Sequence, residues 1–268
     1  MNLQKLLWLR GQVHRSRGLS RNQLLNYIQF NENPVNNREK RLHPFIAESL
    51  KLVTANNTSL SGFVETNELS TTTRSQELAT ILNKNGSDKS TRHSYEKVYA
   101  EILDKFESPK VLEIGLGSTN SFPYAGLNPG GSIKSWREFK PTATIFGADI
   151  DYEAVSSIQE TGIQVDQTSE MSLINLKKEI TKKCSTVNLI IDDGFHDPHA
   201  NFRSLYTLFE ILSEDGYYVV EDVHASLIEF WLICSQFLPG FMKILDYRGQ
   251  RPGVEDNILI IFRKHPHK

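Results

Sequence analysis

Acidic and histidine side chains follow two apolar segments of the sequence. The runs Leu189–His196 and Val219–His224 each pass from aliphatic residues into carboxylates and then a histidine. Carboxylate oxygens are the ligands that Mg²⁺ prefers, and imidazole nitrogen shifts the preference towards Mn²⁺, Fe²⁺ or Co²⁺. The sequence therefore predicts a divalent metal site with Asp193, Asp222 and His224 as candidate ligands, and with the imidazole of His196 as the alternative to that of His224.

A metal ion at this position would suit the activation of a hydroxyl group. A hydroxyl is a poor nucleophile until its proton leaves, and a cation stabilises the alkoxide while a nearby base takes that proton. His196 is the predicted general base, because imidazole has an ordinary pKa of about 6.5. Simpler interpretations exist for single residues: Asp193 begins an Asp-Gly turn pair, and Asp192 could cap its strand.

A glycine loop follows an earlier apolar run. Gly115 and Gly117 would let the backbone approach a nucleotide-like ligand closely. Asn120 stands where a dinucleotide-binding fingerprint needs a third glycine or alanine, which disfavours NAD. Glu113 before the loop and Asp149 at the end of the next strand are typical of S-adenosylmethionine (SAM) sites, where the second acid binds the ribose hydroxyls.

Further polar residues extend the predicted cofactor pocket. Asp166 and Gln167 follow the third predicted strand, at the sheet edge where ligands of open α/β folds bind, although a turn role is an equal alternative for each. Asp192 is also counted among the candidate cofactor-binding residues. The segment 88–93, which contains Lys89, either folds over the cofactor or forms a solvated loop.

The order of the elements explains how these residues would meet. From Lys110 onward, short apolar runs alternate with helical patterns, which is typical of a parallel sheet with helices on both faces. The connection 248–256 is too short for a crossover helix, so the last two strands should be antiparallel. The predicted strands are 109–114, 143–150, 162–165, 187–192, 217–221, 241–247 and 257–263. The predicted helices include 76–82, 95–103 and 225–237. A further predicted helix begins near Phe202 and ends with Gly216 as its C-cap.

Length and composition fit one domain with an appendage. The chain has 268 residues, of which we assign 1–75 to a helical N-terminal appendage and 76–268 to the α/β domain. A net charge of −2 disfavours a broad basic surface for nucleic acid. No apolar run approaches the ~20 residues that span a membrane. Two unpaired cysteines and the absence of a membrane segment predict a cytoplasmic protein, although residues 1–31 lack acids, as a transit peptide would.

Taken together, these motifs resemble the metal-dependent class I SAM methyltransferases. The resemblance is to the macrolide sugar O-methyltransferases of the mycinamicin type, and also to the methyltransferase domains of apratoxin-type polyketide modules. It implies a Rossmann-like, seven-stranded sheet with an antiparallel terminal hairpin. It covers about residues 84–264 and is carried by Gly86–Lys89, Val111–Gly117, Gly130–Trp136, Gly147–Ile150, Val165–Gln167, Ile191–His196 and Glu221–Asp222.

The resemblance implies a role for each matching residue. Asp193 and Asp222 would be metal ligands and His196 the general base. The implied SAM-lining residues are Glu113, Gly115, Ser132, Asp149 and Asp166.

The implied function is SAM-dependent O-methylation of a small-molecule hydroxyl, on a sugar of a natural product or a surface glycan. Mg²⁺ is the favoured metal, with Mn²⁺ and Fe²⁺ as alternatives. No nucleic acid or membrane partner is expected, and homo-oligomerisation is left open. Two alternatives remain: a C-methyltransferase of polyketide-type acyl substrates with His224 as a ligand of a redox metal, and a non-catalytic SAM-binding module.

Overall fold

The computed structural model describes residues 64–65, 69–117, 128–234, 240–251 and 253–264. Most of the predicted appendage, including the acid-free residues 1–31, lies outside these ranges. Within them, the first helix, Thr73–Lys84, runs across the boundary that we placed between residues 75 and 76. The division into appendage and domain therefore stays a prediction.

Helices and strands alternate along the described chain. The strands are β1 (Val64–Glu65), β2 (Lys110–Ile114), β3 (Thr144–Asp149), β4 (Gly162–Gln164), β5 (Val187–Asp192), β6 (Leu212–Val220), β7 (Gly240–Asp246) and β8 (Ile258–Lys264). The helices are α1 (Thr73–Lys84), α2 (Glu96–Asp104), α3 (Gly131–Phe139), α4 (Tyr152–Ser157), α5 (Glu170–Lys183), α6 (Pro198–Leu208) and α7 (Ile228–Cys234). Short 3₁₀ helices lie at Gln159–Thr161, Phe209–Ile211 and Ala225–Leu227.

All the strands belong to one sheet, with the order β1-β7-β8-β6-β5-β2-β3-β4. Strands β2 to β6 pair in parallel, and β8 runs antiparallel to both β6 and β7. The predicted seven-stranded α/β sheet with its antiparallel terminal pair is confirmed. The eighth strand, β1, was not predicted, because two residues are too few to give a periodic pattern; it pairs in parallel with the end of β7.

The strand order reverses between β2 and β5. From β2 the chain proceeds outwards to β3 and β4, and it then returns to lie on the other side of β2 as β5. Open α/β sheets bind ligands in the crevice at the carboxyl ends of such strands. The fold therefore brings the glycine loop after β2 beside the acids that follow β5.

The central strands are buried on both faces. In β5, Ile190 packs into the hydrophobic cluster that contains α5 and α6, whereas Leu189 and Ile191 pack into the cluster that contains α1, α2 and α3. Each of the three side chains is 0% exposed. Because both faces are covered, the apolar residues of β5 run almost continuously instead of alternating with polar ones.

The boundary between α6 and β6 differs from our prediction. Helix α6 ends at Leu208, and β6 already begins at Leu212, so Gly216 lies inside a strand and does not cap a helix. The register between β5 and β6 shifts at this point: Val187 pairs with Leu212, whereas Leu189 pairs with Tyr217. The polar residues that we interpreted as a helix end form a bulge, with Asp215 at φ 60°.

The helix after β6 is also shorter than predicted. A 3₁₀ turn at Ala225–Leu227 precedes α7, which ends at Cys234, whereas we expected one helix over 225–237. Residues 235–239 lie outside the described ranges. None of the helices within those ranges is long and apolar enough to cross a membrane.

Ile190→Ala tests the central packing of the sheet. The substitution leaves a cavity beneath α5 and α6, and we expect the free energy of unfolding to fall by about 2–5 kcal/mol in urea denaturation. The matched control is Ile150→Ala, since Ile150 is 65% exposed and its truncation should change the free energy by less than about 0.5 kcal/mol. Equal losses in the two variants would contradict the assignment of Ile190 to the core.

Candidate active site

A cavity of about 550 Å³ opens at the carboxyl ends of the parallel strands. Its walls come from the ends of β2, β3, β5 and β6 and from the loop between α1 and α2. Three of the predicted site residues, Glu113, Asp192 and His224, are not part of its lining. Those that line it are Gly115, Gly117, Ser132, Asp149, Asp166, Gln167, Asp193, His196 and Asp222.

Three of the lining residues form a potential metal-binding group. One ligand atom from each of Asp193, His196 and Asp222 lies within 4.8 Å of the other two. Asp193 directly follows β5 and Asp222 follows β6 by one residue, so the adjacent strand ends deliver both carboxylates. The arrangement offers two oxygens and one imidazole nitrogen, which suits Mg²⁺ or Mn²⁺.

Two members of this group have a left-handed backbone conformation. The φ angles are 51° at His196 and 54° at Asp222. Non-glycine residues seldom adopt positive φ, and those that do are concentrated at functional sites. Here the conformation turns the chain sharply at the end of each strand, so that both side chains reach the same cavity.

The carboxylates are held close together in a poorly solvated region. Burial first, and then the charge of Asp193, raise the pKa of Asp222 above its ordinary value. The same two causes raise the pKa of Glu221 well above its usual range. Both effects arise because burial removes water from around the ionised carboxylate, and Asp193 places a like charge beside it. A divalent cation between Asp193 and Asp222 would supply positive charge to these carboxylates, so the two acids fit the metal that the sequence predicted.

Lys89 supplies a positive charge from the loop between α1 and α2. Its Nζ lies 2.6 Å from Asp193 Oδ2, 2.7 Å from Glu221 Oε2 and 3.4 Å from Glu113 Oε1. Burial alone would lower the pKa of Lys89, but the surrounding carboxylates raise it well above its usual value. The side chain is 2% exposed, so the solvated-loop interpretation of Lys89 is wrong.

Helix α2 and the residue before it orient the acids that follow β6. Tyr95 OH donates to Asp222 Oδ1 at 2.9 Å, and Tyr99 OH donates to Glu221 Oε1. His93 Nδ1 lies 3.6 Å from Asp222 Oδ1. The sequence predicted a helix over 95–103 that contains both tyrosines, but a periodic pattern does not show which group a hydroxyl contacts.

Glu113 lies beneath the cavity and holds the helix α3 in place. Its carboxylate accepts hydrogen bonds from Ser132 Oγ at 2.7 Å and from Trp136 Nε1 at 2.6 Å. Burial is the main cause that raises its pKa, and Lys89 opposes the shift. These bonds fix the start of α3 against the end of β2. Ser132, in contrast, lies in the cavity lining.

Gly115 is required by a close approach of two backbone segments. A Cβ atom at this position would lie 2.0 Å from the carbonyl oxygen of Asp193, and φ is +92°. Asp193 N donates to Ile114 O at 2.8 Å, so the loop after β5 packs directly on the end of β2. We had predicted this glycine from the approach of a ligand, and the structure adds the approach of the Asp193 backbone.

The acids proposed for the cofactor, Asp149 and Asp166, already accept hydrogen bonds from backbone N–H groups. Asp149 accepts from Leu116 N at 2.6 Å and from Asp151 N at 2.9 Å. Asp151 also lines the cavity, but its side chain caps α4. Asp166 accepts from Thr168 N at 2.8 Å, which is the turn role that we left open. Each carboxylate is thereby fixed at the edge of the cavity.

Gln167 and Asp192 form a buried support for the loop that carries His196. Gln167 Nε2 donates to Asp192 Oδ1 at 2.7 Å, and Gln167 Oε1 accepts from Phe195 N at 2.8 Å. Tyr218 OH donates to the second oxygen of Asp192 at 2.9 Å. The amide of Gln167 thus joins the ends of β4 and β5, and Asp192 points away from the cavity lining.

His224 lies apart from the three residues of the metal-binding group. Its side chain is exposed, and Nδ1 is 2.9 Å from Ser226 Oγ at the start of a 3₁₀ helix. Asp197 and Pro198 begin α6: the side chain of Asp197 accepts from His199 N and Ala200 N as the N-cap, and Pro198 lies in the first turn.

The curated proteins to which this chain is similar are named as O-methyltransferases. No protein-family model matches the chain. It is 32% identical over 152 residues to the 8-demethyl-8-alpha-L-rhamnosyl tetracenomycin-C 2'-O-methyltransferase of Streptomyces olivaceus, covering 56% of this chain and 38% of that protein. It is 31% identical over 133 residues to the mycinamicin VI 2''-O-methyltransferase of Micromonospora griseorubida, covering 49% of this chain and 29% of the relative.

A solved structure shows the same architecture. The MycE methyltransferase from the mycinamycin pathway, in complex with Mg, SAH and mycinamycin VI, superimposes with a TM-score of 0.52 at 19% identity. The match covers 82% of this chain and 60% of that one. The chain therefore has the class I methyltransferase fold. It spans well under half the length of the curated relatives that it matches.

Gly115→Ala tests the packing between the glycine loop and the loop after β5. The added methyl group would force the Asp193 backbone away at a residue with positive φ, and we expect the free energy of unfolding to fall by about 3 kcal/mol. The control is Gly249→Ala, because a Cβ there meets nothing within 4 Å. Unfolding curves in urea measure both variants, and equal stability of Gly115→Ala and the parent would refute the close approach.

Proposed function

We propose that the chain is a SAM-dependent, metal-assisted O-methyltransferase that acts on a hydroxyl group of a small molecule. The observation that carries the proposal is the convergence of Asp193, His196 and Asp222 at the cavity that the glycine loop also lines. SAM binding alone would require neither the metal-binding group nor a histidine in the cavity wall. The proposed acceptor is a sugar of a glycosylated natural product.

The charge of the cavity suits the proposed ligands. Its lining includes two basic residues, Lys89 and Arg92, and six aspartates: Asp88, Asp149, Asp151, Asp166, Asp193 and Asp222. An acidic cavity favours a cofactor with a positive sulfonium centre together with a divalent cation. When bound, SAM supplies the activated methyl group, and the metal supplies a Lewis acid for the acceptor oxygen.

We assign some residues of the cavity to ligand binding and one residue, His196, to proton transfer. Gly115, Gly117 and Ser132 would lie against SAM on the β2 side, and Asp149 would accept the ribose hydroxyls. Asp193 and Asp222 would hold the metal. The fixed carboxylates orient their ligands in advance, so that binding converts a reaction between separate molecules into one between positioned groups.

His196 would take the proton of the acceptor hydroxyl. Its side chain is 37% exposed, and Nε2 lies 3.8 Å from Asp193 Oδ1. The acceptor oxygen would gain the methyl group as its proton passes to the imidazole, and the S–C bond of SAM would break with its electron pair left on sulfur, which releases S-adenosylhomocysteine. The nearby Asp193 carboxylate stabilises the imidazolium that forms.

The names of the relatives support a sugar acceptor. Both curated relatives are named as O-methyltransferases of glycosylated metabolites, and the MycE structure contains Mg and SAH. We therefore choose rhamnosides as the first acceptors to test.

His196→Ala tests the general base. We expect the variant to bind S-adenosylhomocysteine as the parent does, in calorimetry, while transfer of labelled methyl from SAM to a rhamnoside panel falls about 10²–10⁴-fold. The matched control is His199→Ala, since His199 lies in the first turn of α6, outside the cavity lining. Full transfer activity in His196→Ala would contradict the role of His196.

Metal removal tests the second part of the proposal. We expect EDTA to abolish methyl transfer and added Mg²⁺ to restore it, because the metal-binding carboxylates otherwise repel one another and the acceptor oxygen. Asp222→Asn should need a higher Mg²⁺ concentration for the same rate. Turnover that persists in EDTA would remove the metal from the mechanism, and SAM binding without product from any acceptor would favour a non-catalytic binding module.

A further inference from the structure

We propose that Lys89 is an internal counter-ion that holds the acidic cluster in its binding arrangement before a metal ion enters. The acidic cluster is defined as Glu113, Asp193, Glu221 and Asp222. The inference deepens the proposed function, because it rests on the metal site of that function. It assigns a positioning role to a residue outside the metal-binding group itself.

The contacts of Lys89 join three separate parts of the fold. Its ammonium group donates to Asp193 Oδ2 after β5 and to Glu221 Oε2 after β6, and lies 3.4 Å from Glu113 Oε1 on β2. Lysine is a compact charge with three donors, so one side chain can serve three carboxylates. The loop between α1 and α2 is thereby tied to the ends of three adjacent strands.

Lys89 also determines which oxygen of Asp193 remains on the metal side. Oδ2 accepts from Lys89 at 2.6 Å, whereas Oδ1 lies 3.8 Å from His196 Nε2. Each oxygen of Asp193 therefore has a different neighbour, Lys89 for Oδ2 and His196 for Oδ1. Lys89 and a bound metal would share this carboxylate without competing for the same oxygen.

The negative charge of the acidic cluster is large enough to accommodate both Lys89 and a divalent metal ion. Four carboxylates in the acidic cluster carry four negative charges when ionised, and Lys89 compensates one of them. A divalent ion would compensate two more. Before the metal binds, the ammonium group limits the repulsion that would otherwise drive the carboxylates apart or into protonation.

Burial makes this counter-ion essential to the metal-free protein. The side chains of Lys89 and Glu221 are each 2% exposed, and that of Glu113 is 0% exposed. Lysine and glutamate are almost never fully buried without a partner. Removing the ammonium group leaves carboxylates that water cannot reach, and the loss should be smaller when a metal ion replaces part of the missing charge.

The test compares melting temperatures in EDTA and in saturating Mg²⁺. Lys89→Met keeps the length of the side chain but removes its charge. The matched control is Lys84→Met, because Lys84 forms an exposed ion pair with Glu138. The double variant Lys89→Met/Glu221→Gln removes one negative charge together with the positive one.

We expect Lys89→Met to melt about 10 °C below the parent in EDTA, because it breaks a buried ion pair. Mg²⁺ should raise its melting temperature more than it raises that of the parent. The double variant should regain part of the loss in EDTA. Lys84→Met should melt within about 2 °C of the parent in both conditions.

Three results would overturn the role of Lys89. The first is an unchanged melting temperature of Lys89→Met in EDTA. The second is a decrease in melting temperature that neither Mg²⁺ nor Glu221→Gln reduces. The third is failure of both Lys89 variants to fold in either condition. The last two would indicate a packing role. If Mg²⁺ stabilises neither the parent nor the variant, the metal site of the proposed function fails, and the EDTA comparison with the double variant still decides the role of Lys89.

Discussion

Electrostatic repulsion among the acids at the carboxyl ends of β2, β5 and β6 is the constraint on which the rest of the site depends. Parallel strands bring their carboxyl ends to one edge, so any acids that follow them must share a small and poorly solvated volume. The protein meets this constraint with tyrosine hydroxyls from α2 and from the residue before it, with the ammonium group of Lys89 and with a cavity open to a cation. Burial first, and then repulsion from Asp193, raise the pKa values of Glu221 and Asp222.

The positions of the strands, and therefore the meeting of Asp193, His196 and Asp222, could be predicted from the sequence. Strands β2 and β5 are apolar runs with clear ends, and the parallel order follows from the helices between them. The end of α6 could not be predicted in this way. The sequence of Ser213 to Gly216 is typical of a helix end, but these residues form a bulge within β6. Pairing of β6 with β5 therefore determines their conformation more strongly than the local turn signal does.

Contacts between distant parts of the chain explain what the sequence did not reveal about the site. Lys89 meets Asp193 and Glu221 across 104 and 132 positions. No local spacing encodes such a contact, and a lone lysine between two helices resembles a surface residue. Gln167 is a similar case, because its position at the sheet edge predicted a ligand contact, whereas its amide bridges Asp192 and Phe195.

Strand β1 has a consequence for how shortened forms of the protein would behave. It pairs with Ile244 and Leu245 of β7, and β7 otherwise has β8 as its sheet neighbour. An uncovered edge strand presents free backbone donors and acceptors that can recruit the same edge of another molecule. The opposite edge, β4, has only three residues and offers little to pair with. A form that begins after residue 65 would therefore gain a self-association surface on the side of the sheet remote from β4, and its solubility would fall although its cavity remained intact.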